Sequence, residues 1–251
     1  MSFLDNLKTF GSWISGSSTG AALLKTVAIG YVVTRISKSI EKDKDAQQTD
    51  YGVRLQIAPN TDTKIPVLYG AAYFGGNITD AVMSNSNKRM HYCLTLCEKT
   101  GTKLSDNQAS DFTFKDIYWN DQRIVFADDG ITAQYTLDRN GTIDRSIKDL
   151  VKVWCYKGSS ATPATVENYT TPNTTAAYSI IPGWTSTTHT MDDLVFAVVE
   201  VNYNKDKNVT GLANMLFHID NTMKLPGDCL YDYMTNERYG AGIPAAEILS
   251  Q

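Results

Sequence analysis

The sequence predicts a mainly β (α+β) protein, with barrel- or sandwich-like modules, a helical segment at the N-terminus and short helices at the C-terminus. Three observations carry this prediction. From Tyr51 onward, short alternating or β-branched runs are separated by clusters of Gly, Asn, Asp, Ser and Thr, the pattern of half-buried strands joined by turns. The long helices that parallel βαβ units need between strands are missing from that stretch. Apolar residues at helical spacing gather instead at the two ends, in residues 1–48 and 225–251.

The first segment, 1–48, opens with a predicted helix from Leu4 to Ile14 and passes a Gly/Ser-rich joint, GSSTGA. It continues into a run where Leu24, Val27, Ala28, Tyr31 and Arg35 follow helical spacing. Lysines cluster at the far end of this run, where the helix dipole favours them. EKDKDAQQTD then reads as a charged linker. The helix either folds back on its own domain or reaches a neighbouring subunit.

Residues 49–224 form the β-rich part. Its predicted strands lie in VRLQIA, KIPVLYGAAYFGGNI, HYCLTLCEK, FTFKDIYWNDQRIVF, AQYTLDRNGTI, LVKVWCYKG and LVFAVVEVNYN. In HYCLTLCEK strict alternation would point the thiols of Cys93 and Cys97 to one face, as packing residues. Asn140-Gly141, between two alternating runs, predicts a type I′ hairpin turn. The Thr-, Ser- and Pro-rich stretch 159–179 reads as a surface loop, ordered against a partner.

The last segment, 225–251, begins at Pro226 and Gly227. Leu230, Tyr233 and Met234 fall at i, i+3 and i+4, Gly240 and Gly242 lie where a helix can close, and Pro244 opens a second helical run from Ala245 to Leu249. A helix this short is not stable alone. Leu230, Tyr231, Tyr233 and Tyr239 are therefore expected to pack onto protein that need not belong to this chain, with Gly240 and Gly242 permitting the reversal.

The net charge of -4 gives no basic footprint, so nucleic acid is not the expected partner. The N-terminus carries Asp5 and no apolar signal-peptide core, and the run TVAIGYVV is too short to span a bilayer. The chain is expected to be made in the cytoplasm, with membrane contact left open. Four cysteines and three histidines are too sparse for a zinc or disulfide framework. His91 with Cys93 and Cys97 lacks a second ligand pair.

LDRNGTIDRS resembles a calcium loop only superficially. With Gly141 as the invariant glycine, Thr136 and Ile147 occupy the anchoring carboxylate positions. Asp128 and Asp129 are adjacent and precede Gly130, as in an ordinary turn. No nucleophile elbow, phosphate loop, zinc-protease motif or dinucleotide fingerprint occurs, so no enzymatic activity and no cofactor are expected. The sequons at Asn77, Asn140, Asn168, Asn173 and Asn208 follow from a Thr/Asn-rich composition. Fourteen tyrosines suit a protein with interfaces.

Three stretches carry a resemblance: IPVLYGAAYFGGNI, then YCLTLCEKTG with FKDIYWND, then LPGDCLYDYMTNERYGAGIPAAEI. Together they resemble the N-terminal part of the tail-tip central hub proteins of long-tailed bacteriophages, the lambda host-specificity (tip attachment) family. The matching positions are Ile65, Pro66, Val67, Tyr69 and Gly70; Cys97 and Glu98; Asp116, Ile117, Asn120 and Asp121; and Tyr231, Asp232, Thr235, Arg238, Tyr239, Gly240 and Gly242. LVFAVVEVNYNKD also looks like the strand preceding the last motif of that family. Lys99 departs from the family's glycine, and the family's chains continue well beyond the last motif.

The resemblance implies a virion structural protein at the phage tail tip. It would form a homo-oligomeric, trimeric hub that closes the tail tube. Its implied partners are a sixfold ring of distal tail protein, other tip or fibre proteins, and a separately encoded continuation of the hub. Two other readings stand beside it. One is a receptor- or carbohydrate-binding β module using Trp119, Trp154 and Trp184 as a sugar platform, and the other is a tail-associated cell-wall hydrolase.

Overall fold

The computed structural model describes the backbone of Val53–Arg54 and residues 64–248. The expected N-terminal helices and linker, 1–48, and the last three residues lie outside the described residues. In chain order the strands are β1 (Val53–Arg54), β2 (Ala71–Phe74), β3 (Asn77–Ser84), β4 (Arg89–Glu98), β5 (Phe112–Trp119) and β6 (Gln122–Phe126). They continue as β7 (Ala133–Leu137), β8 (Ile143–Asp144), β9 (Val151–Lys157), β10 (Pro163–Ala164), β11 (Leu194–Asn202) and β12 (Met215–Asn221). Helices α1 (Pro226–Thr235) and α2 (Ala245–Ile248) close the series.

The mainly β expectation holds, as two open sheets rather than a closed barrel. Seven strands run in the order β1-β2-β12-β5-β6-β7-β8, and five in the order β10-β9-β11-β4-β3. Every pairing is antiparallel except that of β1 with β2. Alternation places Met215, Phe217 and Ile219 of β12 in the same core as Val195, Ala197 and Val199 of β11. The two sheets therefore pack face to face, as sandwich layers do.

Two β-bulges correct a simple alternating reading. Opposite β11, Val195 pairs with Cys97 and Phe196 with Thr95, so Leu96 is an extra residue in β4. This extra residue turns Cys97 into the inter-sheet core while Cys93 lies in a second cluster with Trp154, Tyr156 and Phe196. The thiols are on opposite faces, contrary to the one-face expectation, and both are free and buried. A corresponding shift in β5, where His218 pairs with Asp116 and Ile219 with Phe114, explains the three-residue step from Phe114 to Ile117 in the core.

The second cluster lies on the outer face of the five-stranded sheet. Ala177, Ile181 and Trp184 cover it, and all three come from the long segment between β10 and β11. That segment is ordered against its own sheet rather than awaiting a partner. The hydroxyl of Tyr156 donates to the Thr175 carbonyl at 2.8 Å, and Trp184 Nε1 donates to Asp80 Oδ2 at 2.6 Å. Trp119, Trp154 and Trp184 are buried, so they do not form a sugar platform.

The type I′ turn occurs at a different dipeptide from the one expected. Asn120 and Asp121 both have positive φ, 48° and 62°, and Trp119 pairs with Gln122 across them. This is the two-residue β5–β6 hairpin. At Asn140-Gly141 only the glycine has positive φ, 84°. There the Asp138 carboxylate accepts from the backbone N–H groups of Asn140 at 2.8 Å and Thr142 at 2.7 Å, giving an Asx-type turn followed by a glycine bulge. Asp138 is thus occupied by its own turn. Asp129 is likewise bound by the Ile131 and Thr132 N–H groups and the Thr132 hydroxyl.

Candidate functional site

Helix α1 places its carboxylates inward, while Leu230, Tyr233 and the capping Leu225 just before it point outward. Asp228 and Asp232, four residues apart on one face, are 3% and 4% exposed, whereas Leu225, Leu230 and Tyr233 are 58%, 59% and 52% exposed. Burying an anion is costly unless donors surround it, and here they do. Asp228 accepts from the Ser105 N–H at 2.8 Å and the Ser105 hydroxyl at 2.7 Å. Asp232 accepts from the Gly101 N–H at 2.8 Å through Oδ1, and from the hydroxyls of Tyr69 at 2.8 Å and Tyr239 at 2.6 Å through Oδ2.

The approach of the Gly101 backbone depends on the absence of a side chain, because a Cβ there would lie 2.7 Å from Asp232 Oδ1. Burial, and then the hydrogen bond to Asp232, holds the phenols of Tyr69 and Tyr239 well above the ordinary tyrosine range. They remain donors. Asn221, fully buried beneath this point, ties the layers together. Its side-chain amide donates to the Leu68 carbonyl at 2.7 Å and Thr100 Oγ1 at 2.8 Å, and its Oδ1 accepts from the Met223 N–H at 3.0 Å.

Residues 236–243 fold back over the end of α1. The N–H of Ala241 donates to the Tyr233 carbonyl at 2.9 Å and that of Ile243 to the Met234 carbonyl at 2.8 Å. These bonds satisfy carbonyls that a helix end leaves open. Thr235 Oγ1 donates back to the Tyr231 carbonyl at 2.8 Å, and Tyr231 itself is half-buried. Gly242 has φ +65°, while Gly240 is needed for space, since a Cβ would lie 1.9 Å from the Tyr233 carbonyl oxygen.

Arg238 reaches from this returning segment to the end of β4. Its Nε lies 3.0 Å from Glu98 Oε2, and its Nη1 donates to the Asp192 carbonyl at 3.1 Å. Burial raises the Glu98 carboxyl above its ordinary 4.5, with Arg238 opposing that rise. The folded carboxyl therefore keeps its proton to higher pH than the unfolded one. In the window above 4.5 the native state binds more protons, and stability falls as pH rises through it. Arg238→Gln removes the opposing charge and should extend this loss to higher pH. The check is chemical denaturation at a series of pH values, with Glu98→Gln abolishing the extra dependence.

The positions singled out by resemblance separate into two groups. Pro66, Tyr69, Gly70, Glu98, Tyr231, Asp232, Arg238, Tyr239, Gly240 and Gly242 belong to α1, its returning segment and the strand ends that hold them. Pro66 accepts from the Glu98 N–H at 2.8 Å, and Gly70, at φ +74°, donates to the Met223 carbonyl at 2.9 Å. Asp116, Asn120 and Asp121 belong instead to the β5–β6 hairpin region. Asn120 and Asp121 make its turn, and Asp116 lies 3.5 Å from Arg123 and 3.9 Å from His218 on the outward face.

Asp228, Gly101, Ser105 and Asn221 were not foreseen. The i, i+4 spacing of Asp228 and Asp232 was the available signal for the first of them. Of the residues expected to pack on protein that need not belong to this chain, Tyr239 packs on its own chain, through Asp232. Leu230 and Tyr233 do face outward.

Among the described residues, no group of three or more His, Cys, Asp or Glu is placed to hold a metal ion. No helix among them is long and apolar enough to cross a membrane. Compared with known proteins, the chain matches no family model and no curated protein.

Proposed function

We propose that the protein is a structural component of a bacteriophage tail tip. It forms part of a trimeric central hub that closes the tail tube and joins the distal tail ring to tip or fibre proteins. The observation that carries this reading is the orientation of α1. Two buried carboxylates hold the helix so that Leu225, Leu230 and Tyr233 point into solvent. A helix serving only its own domain buries its apolar stripe; this one offers that stripe to something else.

The resemblance supplies the partner class, and the residues bearing its final motif are those that fix the helix. The mechanism is geometric: the sandwich supplies the ring wall, and the outward stripe of α1 is the contact point for the next protein. Assembly of this kind uses repeated copies of one surface.

Deleting 226–251 is a poor test, because it would also remove the partners of Tyr69, Gly101 and Ser105 inside this chain. A double substitution on the outer face, Leu230→Asp with Tyr233→Asp, leaves those bonds in place. Light scattering should show the native chain associating with itself or with a distal tail protein, and the double variant losing on the order of 100-fold in affinity, as loss of a central apolar anchor does. Circular dichroism should remain native. A native chain that stays a monomer and binds no tail component rules the reading out.

A further inference from the structure

Away from α1, three strands of the five-stranded sheet bring a serine, a histidine and a glutamate into line. His91 of β4 pairs with Glu200 of β11 on one side and with Val82 of β3 on the other, and Ser84 lies two residues along β3 on the same face. Ser84 Oγ is 2.9 Å from His91 Nε2, and His91 Nδ1 is 3.8 Å from Glu200 Oε2. All three line an open cavity of about 350 Å³ whose other walls include Arg89, Lys152 and Pro182.

A purely structural role accounts poorly for this row. His91 is 4% and Glu200 5% exposed, and His91 Nδ1 is buried with no hydrogen-bond partner. Buried polar groups are nearly always satisfied, and an exception calls for an explanation. The carboxylate is partly balanced by Arg89, whose Nε is 3.4 Å from Glu200 Oε1. Burial lowers the pKa of the imidazole, with Glu200 opposing the shift, which favours a neutral ring able to accept a proton.

We propose that Ser84, His91 and Glu200 form an acyl-transfer site acting on carboxylic esters, with Ser84 as nucleophile, His91 as base and Glu200 as the positioning group. The ring proton sits on Nδ1, facing Glu200, so that Nε2 receives the Ser84 proton. Ser84 Oγ bonds to the ester carbonyl carbon, and its proton passes to His91 Nε2. The C–O bond to the alcohol then breaks, and the departing oxygen takes that proton. Water next attacks the acyl carbon, giving a proton to Nε2. The acyl–Oγ bond breaks, Ser84 recovers its proton, and a carboxylic acid leaves. Arg89 and Lys152 supply positive charge for the developing oxyanion.

The arrangement follows the logic of a nucleophile, base and orienting carboxylate, which recurs on unrelated folds. In separated form it was invisible in the sequence, since Ser84 and His91 come from one hairpin and Glu200 from a strand far along the chain.

The test treats the full chain with a fluorophosphonate and with p-nitrophenyl acetate. The expected result is a covalent adduct at Ser84, located by peptide mass spectrometry, and ester hydrolysis that falls on the order of 100-fold or more in Ser84→Ala. Ser84 is half-buried at a strand end, so this variant should keep the native circular dichroism and melting curve. Glu200→Gln should shift the pH-rate profile rather than only lower the rate, as an orienting group does. No adduct at Ser84, or hydrolysis unchanged in folded Ser84→Ala, overturns the proposal.

Discussion

Asp232→Ala is expected to lower stability by about 3–5 kcal/mol, the range seen when one member of a buried charged network is removed. The reason is the number of groups that lose a partner. The Gly101 N–H and the hydroxyls of Tyr69 and Tyr239 all donate to this one carboxylate, and each unsatisfied buried donor costs about 1–3 kcal/mol. The sum is limited because the phenols can turn toward water. Tyr69→Phe and Tyr239→Phe, each removing one donor but leaving the carboxylate bonded, should cost about 1–2 kcal/mol. Urea denaturation of these three variants and of Tyr69→Phe/Tyr239→Phe measures the coupling. Asp232→Asn conserves shape but turns an amide donor toward groups that also donate, so it should recover only part of the loss. If Asp232→Ala shifts the transition no more than either phenylalanine variant, the carboxylate is not the anchor of α1.

Gly240→Ala should cost on the order of 3 kcal/mol, at the upper end of overpacking penalties. The atoms a new Cβ would meet are the Tyr233 carbonyl oxygen at 1.9 Å and the Asn236 carbonyl oxygen at 2.8 Å. Both belong to the backbone and cannot rotate aside. The returning segment must therefore lift from the helix end, breaking the bonds from Ala241 to Tyr233 and from Ile243 to Met234. Gly242→Ala, where the Cβ finds ordinary contacts and only the positive φ is unfavourable, should cost about 1 kcal/mol. Amide exchange offers the most local measurement. In Gly240→Ala the amides of Ala241 and Ile243 should exchange much faster, while those of β11 keep their protection. Unchanged protection at Ala241 would contradict this account.

Most strands were legible because their signal is local, although β12, Met215–Asn221, and most of β3, Asn77–Ser84, lay outside the predicted runs. LVFAVVEVN is a short apolar run rich in valine, buried on both faces, and its neighbours were not needed to identify it. The bulge at Leu96 was not, since an extra residue is defined only against the partner strand, and without it Cys93 and Cys97 count to the same face. The choice between Asn140-Gly141 and Asn120-Asp121 as the I′ turn was settled by competition: the Asp138 carboxylate captured the first hairpin's N–H groups.

At the candidate site, the period of α1 was readable but not which side would be buried. Apolar spacing left open whether Leu230 and Tyr233 pack on this chain or another, and what turns them outward is a set of donors drawn from Tyr69, Gly101 and Ser105, far from the helix in sequence. Resemblance located the residues without their roles. Among them, Gly240 reads as a conformational glycine, yet its φ is not in the left-handed region and its function is clearance.

Strand β4 carries His91 near one end and Glu98 at the other. Seven residues of extended chain separate them by roughly 20 Å. Groups so far apart, with no shared partner, contribute independently. Substitutions at Ser84, His91 or Glu200 should therefore leave the Arg238 contact intact, and substitutions on the outer face of α1 should leave His91 undisturbed. A single strand thus serves as a common foundation for two regions that can be varied separately.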